Sequence, residues 1–360
     1  MAGSPYASAL GRLKVQFPLF VGREFLNGLF SAKDIGEITK RLESTPYGTE
    51  LVQAAASYSG ATLLEIAINR TFVKRNRLAL DAAPFAGKPA VAAYLRKWDI
   101  QNLELILSAK AQGRPVSDAE PFLVSSRDVP AGFAGGTMTL DDFRLLLQQP
   151  TLEAIAQSLV RFGYGGALLP LMDRYAQSHD IFPLLVALDR EYYQRVFEAT
   201  RFFQGDEGVV RKFLESEIDV RNLLLLLKAK DADVPAEEVS HRFIDGGEIA
   251  RAQVPDLYGS RGVPEIVSRF TPRYPSLVNG NSMYEANRSL TGYEVALQRE
   301  RAIAELNRMK SYPLSLAILF TFLLLSELER ADLRRIIYGK LYGVPDEELS
   351  ATLVLTQVTI

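Results

Sequence analysis

An all-α fold, made of one helical unit repeated three times, is predicted by three observations. A signature recurs in order: Asp99 to Lys110 reads DIQNLELILSAK, Asp219 to Lys230 reads DVRNLLLLLKAK, and Glu329 to Lys340 reads ERADLRRIIYGK, at spacings of 120 and 110 residues. A second landmark, Ile68-Asn69-Arg70, Leu188-Asp189-Arg190 and Leu297-Gln298-Arg299, recurs at spacings of 120 and 109. Apolar residues recur at helical spacing, whereas alternating patterns joined by Asn-Gly or Asp-Gly turns are scarce. Helices of merely similar composition would not give concordant spacing, so the repeat reading is preferred.

The elements follow along the chain. Ile35, Ile38 and Leu42 mark an amphipathic helix in DIGEITKRLESTPYGTELV, which begins at Asp34. That segment aligns with TLEAIAQSLVRFGYGGALL from Thr151 at a shift of 117, and then with VPEIVSRFTPRYPSLV from Val263 at a shift of about 111. Leu145, Leu152, Ile155 and Leu159 carry the helical pattern into the second unit. Glu294 to Leu306 is rich in Glu, Arg, Ala and Leu, all good helix formers. Pro84, Gly87 and Pro89 break the chain before Tyr94, and Gly113 with Pro115 ends the first signature helix. Gly132, Gly135 and Gly136 mark one link between units, and Gly246 with Gly247 marks the other. Asn279-Gly280 reads as a loop between helices, and Pro313 as a helix start. The expected units are 1–137, 138–250 and 251–360.

Two apolar stretches define the expected core. Leu223 to Leu227 is five leucines in succession, which predicts a helix buried on all sides. Leu314 to Leu325 is twelve residues long, interrupted by Ser315 and Thr321 and bounded by Lys310 and Glu327. A spanning helix needs about 20 apolar residues, so this run is read as a buried core helix. The N-terminus lacks a basic start with a clean apolar run, so no secretory signal is expected.

The signature pairs are Asp99 with Asn102, Asp219 with Asn222, and Glu329 with Asp332. Asp99 and Asp219 precede apolar helical runs, so each is expected to accept from free backbone donors at a helix start. Lys110 and Lys230 then suit the opposite end of the helix dipole. Asn102 and Asn222 lie three residues on, on the same face as the acid. The sharper alternative makes these pairs polar groups exposed to a partner.

Composition excludes much chemistry. The 360 residues, 40.0 kDa, carry 41 basic and 43 acidic side chains, a net charge of −2, which argues against general attraction to nucleic acid or anionic lipid. Without cysteine there are no disulfides, thiolate zinc sites or cysteine nucleophiles. His179 and His241 are the only imidazoles, too few for a three-histidine metal site. There is no GxxxxGK[ST] phosphate loop, no GxGxxG after a strand and no GxSxG elbow. Gly163-Tyr164-Gly165-Gly166 reads as a turn. Asp141-Asp142 and Glu347-Glu348 read as solvated helix ends, His179-Asp180 as a surface pair, and Trp98 as a packing residue. No catalytic residue, cofactor site or metal site is assigned.

The repeated signature, and above all YPLSLAILFTFLLLSELERADLRRIIYGKLYGVPDEEL from Tyr312 to Leu349, resembles the C-type stalk protein of the A/V-type ATPases and ATP synthases, the counterpart of the eukaryotic d-type chain. Pro313, Glu327, Glu329, Leu333, Arg334, Ile336, Gly339, Lys340, Gly343, Pro345, Glu347 and Glu348 carry the likeness, as does Thr45-Pro46-Tyr47-Gly48. Asp332 departs from the asparagine usual in the family. The resemblance implies a funnel-shaped body of three pseudo-symmetric helical units without catalytic residues. It implies a cytoplasmic central-stalk (rotor) subunit, peripheral to the membrane. Such a subunit would be a socket between shaft subunits of D and F type and the ring of proteolipid subunits, serving torque transmission and ion transport. No nucleotide or nucleic acid is expected to bind. A free-standing helical-repeat scaffold for protein interaction is the alternative, and a helical enzyme with a composite carboxylate site is a third.

Overall fold

The computed structural model describes residues 4–114, 138–205 and 208–357, and among them it is all-α, with no strand. Pro115, Gly132, Gly135 and Gly136 lie outside the described residues. The chain forms two compact units: Met1–Lys14 with Leu42–Phe203, and Val15–Arg41 with Gln204–Ile360.

In the first unit the long helix Gly60–Ala82 carries Ile68-Asn69-Arg70 at its middle, all buried. After a break at Ala83 the chain re-enters helix as Lys88–Leu95, with Pro89 in the first turn, where its missing donor costs nothing. Lys97–Ala111, the first signature helix, follows at once and ends before Gly113, at φ +64°. Trp98 packs edge-on against Phe72, centroids 4.7 Å apart, as expected of a packing residue. Helix Phe182–Thr200, which holds Leu188-Asp189-Arg190, lies against both Lys88–Leu95 and Lys97–Ala111. Thr139 opens helix Leu140–Gln148 with a capping box. Its hydroxyl accepts from the Asp142 amide at 3.2 Å, and Asp142 accepts from the Thr139 amide at 2.8 Å. Asp141 and Asp142 therefore belong to a helix start. Gly163 forms a left-handed turn at φ +83°, in agreement with the turn read from sequence.

In the second unit the signature helices are the longest elements. Val209–Asp231 lies against Thr291–Lys310, which carries Leu297-Gln298-Arg299. Ala317–Leu341 is buried without a break from Ala317 to Ser326, because Leu, Phe and Ile occupy every side of its first turns. Phe322 meets Phe17 and Phe20 at centroid distances of 5.8 and 5.4 Å. No helix among the described residues is long and apolar enough to cross a membrane; the burial of Leu316 to Leu325 makes the apolar run a core helix.

Three local expectations are corrected. Asp219 is the eleventh residue of its helix, not its cap, because Val209 starts the helix ten residues earlier. Asp99 lies in the first turn of its helix, but Arg96 holds the capping position. Leu224 and Leu225 are half-buried, since Arg221 and Lys228 keep one flank of that helix in solvent. Pro313 sits in the turn four residues ahead of Ala317, and Asn279-Gly280 ends a 3₁₀ turn that runs straight into helix Asn281–Asn287.

Leu226→Ala is expected to cost about 2–5 kcal/mol through its cavity. Leu225→Ala should cost less than half as much. Urea unfolding followed by circular dichroism compares them, and equal losses would show Leu225 to be as enclosed as Leu226.

Candidate functional site

Each signature pair sits one helical turn apart on the buried face of its helix. All six residues, Asp99, Asn102, Asp219, Asn222, Glu329 and Asp332, are buried. That overturns the alternative of polar pairs exposed to a partner. In the second unit their partners are backbone groups of segments distant in sequence.

The second pair holds the chain that follows its helix. Asn222 Nδ2 donates to the Ile244 carbonyl at 2.8 Å, and the Ile244 amide donates to Asn222 Oδ1 at 3.0 Å. The Ile249 amide donates to Asp219 Oδ1 at 2.8 Å, and Arg273 reaches Asp219 Oδ2 at 2.7 Å. Gly247 is fixed by this approach, because a Cβ there would stand 2.2 Å from Asp219 Oδ1. The Gly246-Gly247 dipeptide thus marks where the backbone crosses the buried carboxylate.

The third pair works alike with different partners. The Val354 and Leu355 amides donate to Asp332 Oδ2 at 2.9 and 2.6 Å, and Arg335 pairs with Oδ1 at 2.9 Å. Burial pushes the Asp332 carboxyl above its ordinary range, against the lowering influence of both amides and Arg335. The second landmark joins here: Arg335 donates to Gln298 Oε1 at 2.5 Å, and Arg299 donates to the Leu353 and Ala351 carbonyls at 2.8 and 2.7 Å. Glu329 accepts from the Val21 amide at 2.5 Å, across 308 residues of sequence.

The closing lysines form a second set of ties. Lys110 Nζ donates to the Leu147 carbonyl at 3.2 Å, Lys230 to the Tyr258 carbonyl at 3.0 Å, and Lys340 to the Phe30 carbonyl. Each acceptor lies in the last turn of a short helix, Leu140–Gln148, Val254–Tyr258 or Arg23–Phe30. A cation satisfies the unpaired carbonyls and the negative dipole end there. The sequence pattern suggested Lys110 and Lys230 for their own helix ends and concealed the carbonyls that all three lysines reach. A signal for the carbonyls was present all the same. Phe30, Leu147 and Tyr258 are spaced by 117 and 111, the shifts of the third alignment. The small residue before the lysine also gains a reason: Leu349 packs directly over Gly339, where a Cβ would stand 2.6 Å from its side chain.

The second and third pairs and the closing lysines are thus engaged in hydrogen bonds and ion pairs that clamp separate segments together. Among the described residues no group of three or more His, Asp or Glu is placed to hold a metal ion. His241 and His179 are exposed, the latter at a helix C-terminus with φ +53°. A cleft of about 510 Å³ holds Arg273, Arg301 and Arg308, but these guanidiniums pair with Asp219, Glu217 and Glu305.

Asp219→Ala is expected to cost about 1–3 kcal/mol by orphaning the Ile249 amide. Amide hydrogen exchange should accelerate at Ile249. Acceleration confined to the two or three amides after residue 219 would restore the capping role. For Asp332 the sign follows from the raised pKa. The folded state holds more protons than the unfolded state between the ordinary carboxylate value, about 4, and the folded one, so its contribution to stability falls as pH rises through that window. Asp332→Asn should remove that slope. The stability gap between variant and parent should shift in the variant's favour as pH rises above the ordinary carboxylate value, about 4, and urea midpoints with an unchanged gap would contradict this.

The model of the ATP synthase (C/AC39) subunit family matches residues 9–351. The C-type subunit of the A-type ATP synthase of Thermoplasma acidophilum is 36% identical over 355 residues, 99% of both chains. Its counterpart in Thermoplasma volcanium is 35% identical over 96% of both. That of Methanocaldococcus jannaschii is 24% identical over 98% of this chain and 86% of its own. With a match along nearly the whole length, the chain belongs to the ATP synthase (C/AC39) subunit family.

Proposed function

We propose that the chain is a non-catalytic central-stalk (rotor) subunit of an A/V-type ATPase or ATP synthase. It is a socket that couples the shaft subunits of D and F type to the proteolipid rotor ring, on the cytoplasmic side of the membrane. The observation that carries the reading is the full-length similarity to relatives named as C-type subunits of A-type ATP synthases. The interior supports it. A torque-bearing part must resist shear between its helices, and backbone-to-carboxylate clamps with lysine ties between distant segments supply that resistance.

The units 1–137, 138–250 and 251–360 are part of the proposal. Each contains a long helix with the second landmark at its middle, Gly60–Ala82, Phe182–Thr200 or Thr291–Lys310. In each, the helical signature follows and closes on a lysine that ties a short helix elsewhere in sequence.

Reconstitution tests the socket. The purified chain should bind the shaft subunits without the membrane sector, and separately bind the detergent-solubilised ring. Binding to neither, with the protein folded, would favour a free-standing scaffold. Millimolar ATP should leave the melting temperature unchanged, because a ligand of the native state would raise it. A clear rise would reopen the enzyme reading.

A further inference from the structure

We propose that a cleft within the second unit binds an aliphatic zwitterion, an α-amino acid or a short peptide. The inference goes beyond the coupling function and stands apart from it. The cleft, about 510 Å³, lies between residues 273–276 and helix Thr291–Lys310. That volume is in the range of small-molecule sites. Two buried polar atoms of its lining residues have no partner among the described residues. Tyr274 is 7% exposed, and its hydroxyl makes no hydrogen bond. Burial pushes that phenol up to about 12, so it stays protonated and keeps a donor to offer. Glu300 accepts from the Ser276 amide at 2.6 Å through Oε1, while its buried Oε2 accepts from nothing. A buried polar atom without a hydrogen bond costs free energy and is rare, so each of these asks for a partner.

Two guanidiniums of the cleft are engaged through one nitrogen each. Arg273 Nη2 serves Asp219 and Glu248 at 2.7 and 3.3 Å. Arg308 Nη1 alone meets both oxygens of Glu305, at 2.9 and 3.0 Å. A guanidinium carries five donors in a fixed fork, so Nε and the other terminal nitrogen of each remain for an acceptor. These donors, with the Tyr274 hydroxyl, suit a carboxylate, and Glu300 Oε2 suits an ammonium. The charges already present nearly cancel. Arg273, Arg301 and Arg308 stand against Asp219, Glu217, Glu300 and Glu305. A polyanion would be repelled by those carboxylates, whereas a ligand with one charge of each sign leaves the cancellation intact. Pro275, Ile303 and Ala304 add an exposed apolar wall for an aliphatic side chain.

The test is calorimetric titration of the full-length chain with L-leucine and with leucylleucine. Two analogues carry one charge each: 4-methylpentanoate lacks the ammonium, and isoamylamine lacks the carboxylate. A zwitterion should bind, and each analogue should bind about tenfold more weakly or worse, the loss expected for one charged hydrogen bond. Tighter binding of leucine supports the site with a free amino acid as its ligand; tighter binding of the dipeptide supports it with a peptide. Tyr274→Phe removes only the unpartnered hydroxyl. It should weaken binding by about tenfold and leave the melting temperature of the free protein equal or higher. Glu300→Gln, which keeps an acceptor for Ser276, should weaken the zwitterion and leave 4-methylpentanoate unchanged. Failure of both zwitterions to bind overturns the inference, as does an analogue that binds as tightly as leucine. Unchanged affinity in both variants places the ligand elsewhere and overturns it. A melting temperature lowered by Tyr274→Phe shows the hydroxyl already bonded in the free protein and overturns it as well. None of these results touches the coupling function, which reconstitution decides.

Discussion

A carboxylate inside a helical body must find donors, and that requirement organises this protein. Asp219, Glu329 and Asp332 are buried on the inner faces of long helices, where an unpaired charge would be costly. The amides of the helix are spent on its own backbone ladder. Beside the guanidiniums of Arg273 and Arg335, the donors are therefore backbone amides from outside the helix, those of Ile249, Val21, Val354 and Leu355. Each segment is thereby fixed to a helix by main-chain groups, independently of its side chains. The lysines reverse the arrangement, offering a cation to carbonyls that a short helix leaves open.

This division explains how the sequence could be read. The all-α class followed from apolar spacing and helix-forming runs, and the repeat spacing found the signature helices. The buried run after Leu314 was correctly read as core because its length falls short of a span. Asp219 misled, since an acid before an apolar run is the usual mark of a helix start. The helix in fact runs through it, and the preceding VVRKFLESEI is polar enough to hide that continuity. The leucine run misled in degree, because Arg221 and Lys228 on either side expose one flank that the apolar count ignores.

The partners of the signature were beyond local pattern. An amide carries no side-chain signature, so Ile249, Val354 and Val21 look like any apolar residue. Only Gly247 left a trace, as a glycine forced by the approach of Asp219. The carbonyls of Phe30, Leu147 and Tyr258 were equally silent, although their spacing repeats a shift already found between the units.

The tie between Val21 and Glu329, like that between Phe30 and Lys340, bears on how the protein is made. Residues 15–41 leave the ribosome early, yet their acceptor and donor are synthesised 308 and 310 residues later. At roughly 5–20 residues per second that is a wait of about 15–60 s. Throughout it Phe17 and Phe20 lack the Phe322 they finally pack on. Closing so distant a contact makes the last step of folding slow. The nascent chain therefore carries an apolar opening segment that must be shielded until its own C-terminal helix arrives.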